Sequence, residues 1–243
     1  MSMNKEEILN YIIKNELIYP VFQPIVSLKD NKIFAYEALS RIADRTIELS
    51  ITELYEIARK YQRVWELEKI CRKKALLKAK SKPEGIKLFL NVDGNILHED
   101  SFKEGFTKNK INQYGLRPQD VVFEITERVE INHYQSLLSL VNHYQSQGYE
   151  IAIDDVGSGY SNLNRIVYTA PKYLKIDMEL IRDIHQYKEK RAMVKALVSY
   201  CQEVNCLLIA EGVETKQEYI CLKDLGVELV QGFYFGKPQP DFL

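Results

Sequence analysis

Short runs of apolar residues recur along the chain, and each ends on a polar side chain: residues 34–37, 88–91, 121–124, 151–155, 173–177, 207–211 and 230–231. The runs are rich in Ile, Val, Leu and aromatics, and helix-period segments separate most of them. Four to six apolar residues in a row, followed by a helical pattern, read as a strand buried on both faces of a parallel sheet.

The remaining elements fall between these runs. An amphipathic pattern from Asn4 to Asn15, with Ile8, Leu9, Tyr11, Ile12 and Ile13 apolar, predicts a lead-in helix within residues 1–16. Leu17 to Val26 reads as a strand, Asp30-Asn31 as a turn, and Ile33 to Leu39 as a second strand close enough to pair antiparallel with the first. Ser50 and Glu53 form a capping-box pattern that opens one long helical stretch running to Pro83. Strands follow at Ile86 to Asn91 and Val121 to Thr126, the latter after Leu116-Arg117-Pro118. A helix from Tyr134 to Gln147 stops at Gly148. The second half alternates more cleanly. Strands are expected at Glu150 to Asp154, Tyr173 to Ile176, Leu207 to Ala210 and Val227 to Phe233. Helices end near Thr169, run from Lys188 to Val204, and run from a Thr215/Glu218 cap to Leu225.

Eight strands alternating with helices in 243 residues fit one α/β domain over residues 1–243, a barrel of about the 250 residues typical of the (β/α)8 form. The antiparallel first pair departs from the all-parallel arrangement. In such barrels the polar ends of the strands converge on the face that carries chemistry.

Composition narrows the partners. With 33 basic and 34 acidic residues, net charge −1, no global field draws duplex nucleic acid or an anionic membrane. An anionic ligand must be held locally. Cys71, Cys201, Cys206 and Cys221 lack C-x-x-C spacing, no secretory leader is evident, and no apolar stretch nears the roughly 18 residues of a membrane span. These features predict reduced thiols in a cytoplasmic protein or cytoplasmic domain without membrane contact.

Glu37, Asn91, Glu124, Asp154 and Asp155 offer oxygen ligands from neighbouring strand ends, a set suited to Mg²⁺ or Mn²⁺. Zinc is disfavoured, because His98, His133, His143 and His185 all fall in predicted helices or loops. Adjacent carboxylates such as Asp154-Asp155 repel unless a cation offsets them, and an Asp pair can bridge two metals about 3.5 to 4 Å apart. By itself the Asp pair near Gly157 is ordinary turn chemistry; its recurrence with Glu37, Asn91, Glu124 and Glu211 argues for a site. Lys175 holds a water or a phosphate, or else pairs with Asp177 or Asp155. Arg41 forks onto a phosphate or is a surface charge. The loop Gly157-Ser158-Gly159-Tyr160-Ser161 is a lid, a dimer contact or a plain connection.

Glu37-Ala38-Leu39 followed by Arg41 resembles the signature of the EAL-domain family. The likeness extends through Phe22-Gln23-Pro24-Ile25-Val26, Asn91, Glu124-Ile125-Thr126-Glu127, Asp154-Asp155-x-Gly157-x-Gly159-Tyr160-Ser161, Lys175-Ile176-Asp177, Ala210-Glu211-Gly212-Val213-Glu214 and Gln231-Gly232 with Gly236-Lys237-Pro238. The resemblance implies a modified barrel that hydrolyses cyclic di-GMP to linear pGpG with two Mg²⁺ or Mn²⁺ ions, by in-line attack of metal-activated water. It implies Glu37, Asn91, Glu124 and Asp154 as ligands of one ion, and Asp154 with Asp155 for the second. Lys175 would stand near the attacking water, Glu211 would be a base or water-orienting group, and Glu127 would brace the loop after Asp155. Gln23 and Arg41 would touch substrate, with Gln231 shaping the site. A homodimer and fusion to sensory or cyclase domains are further family expectations. Val156 and Ser158 stand where the family usually has Phe and Thr, and Lys172 where it often has Asp.

Three other readings compete. A receptor barrel would bind cyclic di-GMP without turnover. A glycosidase would use Glu124 or Glu127 with Glu211 as its carboxylate pair, though sugar clefts favour aromatic walls and the single Trp65 falls in a predicted helix. A scaffold would leave so many carboxylates in one mouth unexplained.

Overall fold

A computed structural model of the chain describes residues 4–94, 96, 99, 102, 105–126, 134–158 and 163–242, with only the backbone of Thr126, Tyr134 and Ser136. Eight strands close a barrel in sequence order: β1 (Ile18–Ser27), β2 (Ile33–Ile42), β3 (Lys87–Val92), β4 (Val121–Thr126), β5 (Glu150–Val156), β6 (Tyr173–Ile176), β7 (Leu207–Ala210) and β8 (Leu229–Gln231). The first strand runs against both neighbours, β2 and β8, and every other pair is parallel. The expected modified barrel is what forms.

The helices are α1 (Lys5–Asn15), α2 (Ile51–Lys60), α3 (Val64–Lys78), α4 (Phe106–Tyr114), α5 (Tyr134–Gln145), α6 (Leu163–Thr169), α7 (Met178–Ile181), α8 (Lys188–Val204) and α9 (Lys216–Leu225). The lead-in helix is present, closed at its start by a capping box between Asn4 and Glu7. The single long helix expected from Ser50 to Pro83 is instead two. Gln62 takes a left-handed φ of 54°, and the Arg63 N–H donates to Ala58 O, so the chain turns before α3 begins. Neither Gly nor Pro marks that break. It is imposed by packing, α2 lying on β2 while α3 lies on β1 and α4. The short α7, opened by Asp177 accepting from Glu179 N at 2.7 Å, is also new. Among the described residues no helix is long and apolar enough to cross a membrane.

Two apolar layers hold the barrel. Outside, residues such as Leu88, Phe123, Ile151, Leu174 and Leu208 meet Leu9, Leu54, Leu67, Leu140 and Leu222 from the helices. Inside, one residue from each strand forms a separate buried cluster: Ile25, Ala35, Phe89, Val122, Ala152, Tyr173, Ile209 and Leu229. This floor decides where the polar groups go. Side chains two apart along a strand share a face. The residues two further on are therefore Glu37, Asn91, Glu124, Asp154, Lys175, Glu211 and Gln231, all at the same mouth. On the reversed β1 the order inverts, and Gln23 occupies that level.

The loop after β7 is tied down by one carboxylate. Glu218, itself buried, accepts the backbone N–H groups of Asp183 (2.9 Å), Glu214 (3.0 Å) and Thr215 (2.9 Å). Burial alone would raise its pKa, but these donors win and hold the carboxyl below the usual range. Glu218→Ala is expected to cost about 2 kcal/mol in urea unfolding at neutral pH, since charge-assisted bonds are lost and their donors stranded. With a depressed folded pKa the contribution is present above the ordinary carboxylate range and fades on acidification. A wild-type advantage over the variant that grew toward pH 4 would contradict this account.

Candidate active site

Lys175 is the hub of the mouth. Its side chain is only 1% exposed, and Nζ lies 2.6 Å from Glu211 Oε1, 2.7 Å from Glu124 Oε1, 3.4 Å from Glu37 Oε2 and 3.4 Å from Asp154 Oδ1. Of the two readings open from sequence, the pairing is with these four carboxylates rather than with Asp177 or Asp155. β6 places it there because Tyr173, two residues earlier, belongs to the interior floor.

Around this ammonium the other side chains form a network. Gln231 Nε2 donates to Glu37 Oε2 (2.6 Å) and to Gln23 Oε1 (3.3 Å), Asn91 Nδ2 donates to Glu37 Oε1 (3.1 Å), and Gln23 Nε2 donates to Gly236 O (3.3 Å). Glu37 is thus gripped on both oxygens. Glu124 is not: Oε1 faces Lys175 off hydrogen-bond direction, and neither Oε2 nor Asp154 Oδ1 accepts a hydrogen bond among the described residues.

Asp154 and Asp155 should point to opposite faces of a regular strand. They do not, because the β5–β6 register shifts between Ile153 and Val156, and Asp155 adopts a left-handed φ of 59° that Asp tolerates better than most residues. The bulge brings ligand-type oxygens of Asp154, Asp155 and Glu211 within 4.8 Å of one another. Two glycines let the neighbouring loops close in. A Cβ on Gly212 (φ +66°) would meet Met178 Cβ at 2.4 Å, and one on Gly232 would meet Val213 O at 2.1 Å.

The electrostatics follow from crowding. Burial, with Glu37 and Asp154 adding repulsion, holds the Glu124 carboxyl well above the usual range against the pull of Lys175. Burial likewise raises Glu211 far up and Asp154 to a lesser degree, again against Lys175. Glu37 also suffers burial, yet Lys175 and the amides of Gln231 and Asn91 bring it below the usual range. Burial disfavours the Lys175 ammonium, but its four acidic neighbours raise it well above an ordinary lysine. One ammonium faces four carboxylates, more negative charge than a single cation offsets. An all-oxygen donor set with buried acceptors lacking donors is the chemistry of a hard divalent cation, so the residues fit one.

Arg41 lies on the rim, with Nη1 donating to Ser40 O at 2.8 Å, and no carboxylate claims it as an ion pair among the described residues. Glu127 and the loop residues Gly159, Tyr160 and Ser161 lie outside the described residues. Val156 is buried in the outer layer. Neither His143 nor His185 lines the cleft, and His98 and His133 lie outside the described residues.

From the mouth a cleft of about 310 Å³ runs over Glu37, Asn91, Asp155 and Arg41 to a wall that sequence reading passed over: Ile51, Thr52, Tyr55, Glu56 and Arg59 of α2, with Asp93. The helical spacing 51/55/59 and 52/56 carried the signal for that wall. What it lacked was any indication that this face met the mouth.

With the geometry in place, likenesses to known proteins become informative. Residues 6–238 match the EAL domain profile. The probable cyclic di-GMP phosphodiesterase PdeN of Escherichia coli (strain K12) is 31% identical over 94% of this chain, which covers 45% of PdeN. The chain spans about half or less of the length of the first curated relatives it matches. Klebsiella pneumoniae BlrP1, solved as a calcium and cyclic di-GMP complex, superposes with a TM-score of 0.83 at 30% identity, covering 93% of this chain and 56% of that one. A standalone EAL protein of Vibrio cholerae O395, solved with cyclic di-GMP bound, gives a TM-score of 0.77 at 32% identity, covering 92% of this chain and 93% of that one. The carboxylate-ringed mouth, the reversed first strand and a profile match over nearly the whole length agree, and the chain belongs to the EAL-domain family.

Proposed function

We propose that this chain is a divalent-cation-dependent phosphodiesterase that opens cyclic di-GMP to linear pGpG. The observation that carries the reading is the ring of Glu37, Asn91, Glu124, Asp154, Asp155 and Glu211 around Lys175 at one barrel mouth. Glu37, Asn91, Glu124 and Asp154 would hold one ion, and Asp155 with Asp154 a second. Mg²⁺ or Mn²⁺ supplies Lewis acidity there, offsetting charge on a phosphodiester and easing ionisation of water.

The chain's own groups do the rest. Lys175 keeps its proton, so it acts as a fixed positive charge and hydrogen-bond donor beside the reacting phosphate. Glu211 has two roles open to it from one position: its oxygen joins the Asp154–Asp155 cluster, and its raised pKa suits it to accept a proton from water. Gln231 and Asn91 orient Glu37, while Gln23 fixes the loop at Gly236 and borders the substrate. Arg41, on the rim, is placed to meet a phosphate oxygen. Glu127 keeps its suggested role of bracing the segment after Asp155.

Product chromatography tests the proposal. Cyclic di-GMP incubated with the purified chain is expected to yield pGpG with Mg²⁺ or Mn²⁺ and to stay intact in EDTA. Intact substrate in every cation-containing sample sinks the enzyme reading. Binding measured in the same samples would then identify a receptor.

A further inference from the structure

The α2 wall of the cleft takes no part in the carboxylate chemistry, yet it is organised. Arg59 Nε donates to Asp93 Oδ2 at 2.6 Å, where the Asp93 side chain is 6% exposed and that of Arg59 44%. Asp93 is itself fixed from the core side, its N–H donating to Glu68 Oε1 at 2.5 Å, and Glu68 is held by Arg72 at 2.6 Å. A guanidinium anchored through Nε on a fixed carboxylate presents its terminal amino groups as an oriented donor fork. Those groups have no partner other than Asp93 among the described residues. One turn earlier on the same face, Glu56 lines the cleft and carries no hydrogen bond or ion pair among the described residues.

An acceptor and a donor fork side by side suit a ligand whose edge offers both kinds of group. A phosphate offers acceptors only, and Glu56 would repel it. A guanine edge offers O6 and N7 as acceptors and N1–H and N2–H₂ as donors. Resting on the cyclic di-GMP reading above, we infer that Glu56 and Arg59 read one guanine of the substrate, Arg59 donating to O6 and N7 and Glu56 accepting from N1–H and N2–H₂. Residues three apart on a helix stand about 5–6 Å apart at Cβ, within reach of the two edges of one purine. Adenine is mismatched at both positions, with an amino donor facing Arg59 and a bare ring nitrogen facing Glu56. Ile51 and Tyr55 flank the pair as an apolar wall against which a base can lie.

The test is selectivity. Dissociation constants for cyclic di-GMP and cyclic di-AMP are measured by calorimetry with Ca²⁺ as the cation, on the wild-type chain, Arg59→Ala and Glu56→Ala. Each variant is expected to lose roughly 10- to 100-fold of the preference for the guanine dinucleotide, mainly through weaker binding of cyclic di-GMP. Glu56→Ala leaves the Arg59–Asp93 pair intact, so a general loosening of α2 cannot account for both results. An unchanged preference in both variants overturns the inference while leaving the phosphodiesterase reading standing. Equal weakening of both dinucleotides in Arg59→Ala overturns it too, since that marks a phosphate contact. A wild-type chain that binds neither dinucleotide overturns this inference and the proposed function together.

Discussion

Asp154→Asn is expected to lower turnover of cyclic di-GMP roughly 10²- to 10³-fold while raising the melting temperature of the protein in EDTA. The loss follows from position, since Asp154, like Glu211, belongs both to the Lys175 cluster and to the group of oxygens it forms with Asp155. Removing one charged group that faces the reacting centre typically costs about that much. The gain in stability follows from sign. Burial and Glu37 raise the Asp154 carboxyl above its unfolded value despite Lys175. A group whose pKa rises on folding contributes stability at low pH that is lost as pH climbs through the folded value. At neutral pH its ionised form is therefore a cost, and Asn keeps the shape without the charge. A gain of about 1 kcal/mol corresponds to about 2–4 °C in a chain of this size. Calorimetry in EDTA beside product chromatography reads both effects, and a lower melting temperature with unchanged turnover would refute the assignment of Asp154.

Lys175→Met is expected to abolish measurable turnover and to destabilise the fold by about 3–5 kcal/mol in EDTA near pH 7.5, the range for stranding one side of a buried ion pair. Four carboxylates then face one another without the ammonium that sits 2.6 to 3.4 Å from them. Two treatments should relieve the defect. Glu124, Asp154 and Glu211 have carboxyls raised by burial, so the variant binds more protons folded than unfolded, and its stability should climb as pH falls toward their folded values. Glu37, held low mainly by Lys175 and its amide donors, works in the opposite direction in the wild type, and loses most of that pull in the variant. A divalent cation that binds only the folded mouth should also restore stability, in proportion to the logarithm of its concentration. Urea titrations over pH and cation concentration decide the matter. A variant as stable as wild type in EDTA at pH 7.5 would show that Lys175 does not balance this charge.

These two effects share a cause. The buried carboxylates Glu124, Asp154 and Glu211 are groups the fold would discard on grounds of stability, a common feature of functional sites, and Lys175 is what offsets them. Arg72 shows the contrast: it pairs with Glu68, lies against the rings of Trp65, Phe123 and Tyr144 and bonds Thr107 and Tyr144, so that its buried charge is surrounded by compensating partners. Glu124, Asp154 and Glu211 lack such full compensation, which a bound cation would supply.

The strand–helix alternation, the antiparallel first pair, the capped starts of α2 and α9 and the set of polar strand ends were all legible in the sequence. Each depends on residues close in the chain: apolar runs too short for helices, a turn signal at Asp30-Asn31, Ser or Thr three positions before Glu. Parity was not legible. In a strand buried on both faces, Phe89 and Leu90 are equally apolar, and only closure of the barrel assigns Phe89 to the interior and Leu90 to the helices. That assignment turns Glu37, Glu124, Lys175 and Glu211 toward a common centre. The bulge that gives Asp154 and Asp155 one direction, the break at Gln62, the carboxylates that claim Lys175 and the fixing of Arg59 by Asp93 were likewise set by contacts distant in sequence. Local preference determined which segments became strands and helices; which side chains met was decided by closing eight strands around one apolar floor.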